Sequence, residues 1–235
     1  MPAERLRRTV FALAIAALSA GCALPQRIDA PAQPAAGTAQ ATPADRGVYG
    51  DLIRSMLDQE QYYAALAHVQ QRQRSGDGGR DELRFLEAEA RRGLRQVAAA
   101  DALYQSLLKT PWAARAYHGL GLLHAHGDIA RAVPYLREAA RRAPTDADVR
   151  NDLGYALLRA GRLDQALPEL ATAVELAPDS DKARNNLLLL LMVQGDEAAV
   201  SRVARQALVP PDTLSRLRQQ ALALQAPQGG RGGMP

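Results

Sequence analysis

Small and apolar residues recur through the middle of the chain with a period of 34 positions. Gly127, Ala132, Leu136, Ala139 and Pro144 return as Gly161, Ala166, Leu170, Ala173 and Pro178. Further on, Arg150-Asn151-Asp152-Leu153 returns as Arg184-Asn185-Asn186-Leu187, Leu157 as Leu191 and Gly161 as Gly195. Gly161 falls where a first helix must end, because glycine accepts the left-handed backbone that turns the chain. Pro178 falls where a second helix stops. The repeating unit is therefore a helical hairpin. Gly154 and Ala166 carry almost no side chain, so the two helices of a hairpin approach closely, with Leu153, Leu157, Leu170 and Leu176 filling the space beside them.

Extending this reading outward predicts hairpins at about 47–75, 80–112, 113–146, 147–180 and 181–209, then a capping helix at 212–225 behind Pro210-Pro211-Asp212. In the upstream, more degenerate units, Ala65, Ala88, Ala100 and Tyr104 take the close-packing places, and Ser75-Gly76-Asp77-Gly78-Gly79 separates two hairpins. The third unit is one residue short ahead of Gly127: either its first helix is shorter or Leu120 takes the small-residue place. Val200 replaces an expected alanine in the last unit. The predicted fold is all-α, a right-handed α-solenoid, with a flexible glycine-rich tail at 226–235. Composition agrees, since aromatics are only 4% and helix formers dominate.

The first 46 residues follow a different pattern. A positive start with Arg5, Arg7 and Arg8 precedes the apolar run Thr9 to Ala20 and small residues before Cys22, the layout of a signal peptide at 1–21. The run is too short to span a bilayer, which needs about 20 residues. With this segment removed, the net charge falls from +4 to +2, which offers no case for nucleic acid. Residues 22–46, with Pro25, Pro31, Pro34 and Pro43, read as a disordered tether. Leu18-Ser19-Ala20-Gly21-Cys22 resembles the lipobox of bacterial lipoproteins, although Ser19 stands where an aliphatic residue is usual. The resemblance implies acylation (palmitate) of Cys22, the only cysteine, as a lipid attachment point. With Ala23 behind it, it also implies sorting to the periplasmic face of the outer membrane. Several acyl chains on one residue give durable anchoring, whereas one gives only reversible binding.

The repeat itself resembles the tetratricopeptide repeat: a small residue at the eighth place, glycine near the fifteenth, alanine at the twentieth and twenty-seventh, proline at the thirty-second. Residues 147–180 match almost throughout. The resemblance implies a concave groove lined by first helices, and its groove-facing places fall on Arg115, His118 and Leu122, on Asp148, Asn151, Tyr155 and Arg159, and on Lys182, Asn185, Leu189 and Met192. Their mixture of amide, aromatic, basic and apolar groups suits a peptide or partner helix. Asn151 with Asn185, and Tyr155 with Leu189, are expected to line one wall, one repeat apart.

No nucleophile, base and oxyanion donor can be assembled, and no phosphate-cradling loop or HExxH helix is present; the chain reads as a non-enzyme without cofactor, metal or small-molecule substrate. Among the histidines, His124 is expected to pack within its hairpin and His126 to sit in the turn, while Trp112 packs between hairpins. The lipobox, the tether, the degenerate hairpins and the segment Ala183-Arg184-Asn185-Asn186-Leu187-Leu188-Leu189 leading into Gly195-Asp196 are together similar to the tetratricopeptide lipoprotein of tight-adherence (Flp) pilus assembly. That resemblance implies a pilotin-like protein-binding scaffold whose partners are the pilus secretin or other assembly components. A type IV pilus pilotin, an outer-membrane-protein assembly scaffold, a lipoprotein activator of a cell-wall enzyme and a periplasmic enzyme are the alternatives.

Overall fold

The computed structural model describes residues 43–76 and 79–226, with side chains from residue 48 onward. The signal peptide, Cys22, most of the tether and the tail beyond Ala226 lie outside the described residues. Those described belong to one compact unit and form eleven helices without a strand among them. These pair as α1 (Pro43–Asp58) with α2 (Tyr62–Ser75), α3 (Arg80–Gly93) with α4 (Val97–Ser106) and α5 (Ala113–Ala125) with α6 (Ile129–Arg142). Then follow α7 (Ala147–Arg159) with α8 (Leu163–Leu176), α9 (Asp181–Gln194) with α10 (Glu197–Gln206), and α11 (Pro211–Gln225). Each odd helix from α1 to α9 packs on its own partner and on the odd helix of the next unit, and α11 lies along α9. The first helix begins at Pro43, inside the stretch expected to be tether: the fixed φ of proline suits a first helical position, so a residue read as part of the tether opens the helix.

Capping residues recur with the repeat. The side chains of Asp128, Asp146, Ser180 and Asp196 accept backbone N–H bonds from Arg131, from Asp148 and Val149, from Ala183, and from Ala199, satisfying donors that a helix start leaves unpaired. At the hairpin turns Gly161 and Gly195 adopt φ of 70° and 78°. The amide of the next residue then reaches back, from Arg162 to the Leu157 carbonyl at 2.9 Å and from Asp196 to that of Leu191 at 3.0 Å, a closed helix end. Upstream, Glu60 (φ 59°) and Arg95 (φ 60°) make the same turn without glycine. Gly93 is the last residue of α3, and a Cβ there would stand 2.3 Å from the Tyr62 ring. Its smallness serves packing, and Arg95 takes the turn.

The one-residue deficit in the third hairpin is resolved by contact. A Cβ on Gly121 would meet Leu136 Cγ at 2.4 Å, as one on Gly154 would meet Leu170 Cγ at 2.6 Å. Gly121, not Leu120, therefore holds the small-residue place, and Leu120 is buried in the core. The missing residue falls between Gly121 and Gly127. The turn is correspondingly tighter, closed by the Asp128 amide on the His124 carbonyl at 2.8 Å, and Gly127 is not left-handed. Pro134 and Pro168 sit inside α6 and α8, another coincidence at the repeat spacing. Both are solvent-exposed, on the outer side where a missing N–H bond is replaced by water.

The core is divided into clusters along the stack, because each hairpin touches only its neighbours. One cluster runs from Val133 to Ala221 and includes Leu153, Leu170 and Leu188. The upstream clusters around Ile53 and around Tyr104 share Phe85 at their margin.

Candidate functional site

Odd-numbered helices bound a cleft of about 450 Å³ that opens between α1, α3, α5 and the start of α7. Its floor is apolar: Leu57, Phe85, Leu86 and Leu122 come from three different helices. Phe85 is held by Trp112 and Tyr104, with ring centroids at 5.2 and 6.3 Å. The rim is charged. Arg115 lies over the Trp112 ring at 4.8 Å, leaving its guanidinium directed by an aromatic face instead of an acid. Arg54 bridges Asp51, at 2.6 Å, and Glu82. Asp58, Asp146 and Asp148 supply negative charge on the same opening.

Glu89, also on this cleft, is tied inward. It accepts the Tyr104 hydroxyl at 2.5 Å and pairs with Arg92 at 2.5 Å. Burial, with the Glu89 charge beside it, pushes the Tyr104 phenol well above its ordinary value, so it remains a fixed donor. The Tyr104 ring in turn occupies the space where a Cβ on Gly119 would stand, 2.4 Å away.

A polar ladder runs from the cleft across three successive first helices. His118 Nε2 on α5 lies 2.8 Å from Asp152 Oδ2 on α7, and Asp152 Oδ1 lies 2.8 Å from Lys182 Nζ on α9. Burial acts to raise the Asp152 carboxyl, but the His118 hydrogen bond and the Lys182 ammonium outweigh it and hold the group below the ordinary aspartate value. Beside it, Asn186 donates to Asn151 Oδ1 at 2.9 Å, and Asn151 donates to Asp152 at 3.1 Å. Arg159 on α7 donates to the Ala125 carbonyl of α5 at 2.7 Å. These bonds set the spacing of neighbouring repeats.

The residues expected to face a groove therefore divide. Arg115, His118, Leu122 and Asp148 line the cleft. Tyr155 is exposed and Asn185 half-buried, while Lys182 and Arg159 are engaged in the inter-repeat contacts above. Asn151, Leu189 and Met192 correct the expectation: they are only 2%, 2% and 6% exposed. Leu189 and Met192 belong to the core cluster, because α9 is flanked by α8, α10, α11 and α7 and buries nearly its whole circumference. Nor do Asn151 and Asn185 form a wall together; the side chain that meets Asn151 is Asn186. Sequence reasoning missed Leu57, Phe85, Leu86 and Glu89 because they lie in the degenerate upstream hairpins. The rarity of phenylalanine, two in the chain, was the one available signal. His124 stacks on Tyr135 and lies 3.0 Å from Asp101, and His126 is exposed in the turn. No cluster of metal-ligating side chains occurs among the described residues.

Stacked hairpins with small residues at their crossings, the first helices of the upstream hairpins turned to one cleft and polar rungs between repeats define a helical-repeat protein. The chain belongs to the tetratricopeptide-repeat family. Residues 123–207 match the Tetratricopeptide repeat family. The chain is 39% identical over 192 residues to the TPR repeat-containing protein PA4299 of Pseudomonas aeruginosa, an alignment covering 80% of this chain and 74% of that protein. Among solved structures, the thermophilic TPR protein TTC0263 of Thermus thermophilus superposes with a TM-score of 0.58 at 20% identity, over 76% of this chain and 98% of that one. MamA of Desulfovibrio magneticus gives 0.54 at 19% identity, over 73% and 95%. These two likenesses concern the fold, an α-solenoid.

Proposed function

We propose that this protein is an outer-membrane-anchored scaffold that captures a partner protein in the cleft between α1, α3, α5 and α7 and assists assembly of a Flp (tight-adherence) pilus apparatus, its secretin included. The observation that carries the protein-binding part is the cleft itself: an apolar floor drawn from separate repeats within a rim of both charges, the arrangement that anchors a peptide or helix. The pilus assignment rests on the resemblance of most of the mature chain to that lipoprotein family, and the anchoring on the lipobox at Cys22.

The test is affinity capture from the native envelope after crosslinking, comparing the wild type with Leu122→Glu and Cys22→Ala. Leu122→Glu places a carboxylate on the apolar floor and is expected to lower recovery of pilus components at least tenfold, with the helical circular dichroism unchanged. Cys22→Ala is expected to move the protein out of the membrane fraction. Equal recovery by Leu122→Glu removes the cleft as the binding site, unchanged partitioning of Cys22→Ala removes the anchor, and a partner set without pilus proteins removes the pilus role.

A further inference from the structure

A solenoid that ends in water needs terminal helices with polar outer faces, since each internal helix is covered by a neighbour and the last is not. Both ends of this stack carry exposed apolar side chains among polar ones. On α1, Ile53 is fully buried and Leu57 packs with it, toward α2 and α3. The opposite face carries Val48 and Leu52, one turn apart and 70% and 44% exposed, followed on the same side by Ser55 and Gln59. On α11, Leu217 and Ala221 are buried against the stack, while Leu222 on the far side is 67% exposed, beside Gln219 and Ala223. Leu222 stands one period after Leu188, which is fully buried because α9 has neighbours on both sides. In α11 that covering element is absent among the described residues.

The charges bordering these two faces have opposite sign. One turn after Val48 stands Asp51, its side chain 76% exposed although paired with Arg54, and Asp58, also exposed, ends the same helix. Arg218, one turn before Leu222, is in a loose 3.8 Å contact with Glu197 in which both side chains are more than half exposed, and Arg216, farther round the same helix, donates to the Thr213 hydroxyl at 3.1 Å. Asp212 is the one acid on that helix.

We infer that the outer face of α1 in one copy of this chain docks on the outer face of α11 in another, continuing the stack from molecule to molecule. Val48 and Leu52 cover Leu222, and Asp51 and Asp58 meet Arg216 and Arg218. Opposite charges at the edges fix which ends meet and disfavour like-with-like pairing. Because the contact joins two different surfaces, it leaves each dimer with one free end of each kind and propagates into open chains or closed rings. Of the residues named in this contact only Asp58 also borders the cleft, so the crosslinking yield, and not partner capture, is its readout.

Thiol crosslinking of the full-length chain in cells tests it, in a Cys22→Ala background so that no native thiol competes. Two differently tagged variants, Leu52→Cys and Leu222→Cys, are co-expressed and treated with a short bis-maleimide. The expected product is a dimer carrying both tags, with neither variant crosslinking when expressed alone. Combining both substitutions in one chain is expected to give a ladder of higher multimers. Adding Arg216→Glu and Arg218→Glu to the Leu222→Cys chain should cut the dimer at least tenfold, and adding Asp51→Arg and Asp58→Arg to its partner should restore it. Equal crosslinking by either variant alone overturns the head-to-tail arrangement, absence of the mixed dimer overturns the contact, and insensitivity to charge reversal overturns its electrostatic basis.

Discussion

A methyl group at Gly154 is the smallest perturbation that tests how the hairpins are held. Built on the backbone, that Cβ stands 2.6 Å from Leu170 Cγ, 2.8 Å from its Cδ2 and 3.1 Å from the Leu170 backbone nitrogen, where carbon pairs settle at about 3.5–4.0 Å. Leu170 is fully buried, and the nearby backbone nitrogen, which a side-chain shift cannot move, belongs to α8, so α7 and α8 must part. Overpacking of this kind costs about 1–3 kcal/mol, and the better helix propensity of alanine offsets about 1 kcal/mol. The net loss is up to about 2 kcal/mol, which for a domain of this size lowers Tm by up to about 8 °C. Thermal and urea unfolding followed by circular dichroism at the helical band measures it. The decisive comparison is a double-mutant cycle with Leu170→Ala, which alone costs about 2–5 kcal/mol. In that background the space is open and Gly154→Ala becomes neutral or stabilising, a coupling above about 0.5 kcal/mol. If Gly154→Ala is equally harmless with Leu170 present, close approach at this glycine does not hold the hairpin together.

Two further outcomes follow from the turns and the ladder. Gly161→Ala has open space but a φ of +70°, and is expected to cost about 1 kcal/mol. Gly127→Ala, in the shortened turn outside the left-handed region, should change stability by less than about 0.5 kcal/mol; equal losses at the two sites would refute the difference in turn geometry. Asp152→Asn removes a buried carboxylate from His118 and Lys182 and should cost about 1–3 kcal/mol at neutral pH. Because the folded state holds this carboxyl below the ordinary 3.8, the stabilisation is complete above that value and disappears as pH falls through the lower folded one. The stability gap between wild type and Asp152→Asn should therefore narrow as the pH is lowered below the ordinary 3.8, and a gap that stays constant through acid denaturation would refute the linkage.

Much of this fold is written locally. The period, the left-handed glycines 161 and 195, and the small residues at 154 and 166 act through neighbours within one hairpin, so residue size and backbone preference suffice to place them. Contacts between hairpins follow a different logic. Which of Leu120 and Gly121 meets α6 depended on where the missing residue fell. Whether Asn151 faced a ligand or Asn186 depended on how closely α7 and α9 packed. Leu189 and Met192 occupy groove places by register yet are buried, because α11 folds along α9 and closes that stretch. The cleft sits instead upstream, where Leu57, Phe85 and Leu122 converge from units whose degenerate sequences mark no site. A side chain's periodic place is a property of its own helix, legible in one dimension. Its exposure depends on which other helices arrive beside it, and that was decided only when distant parts of the chain packed together.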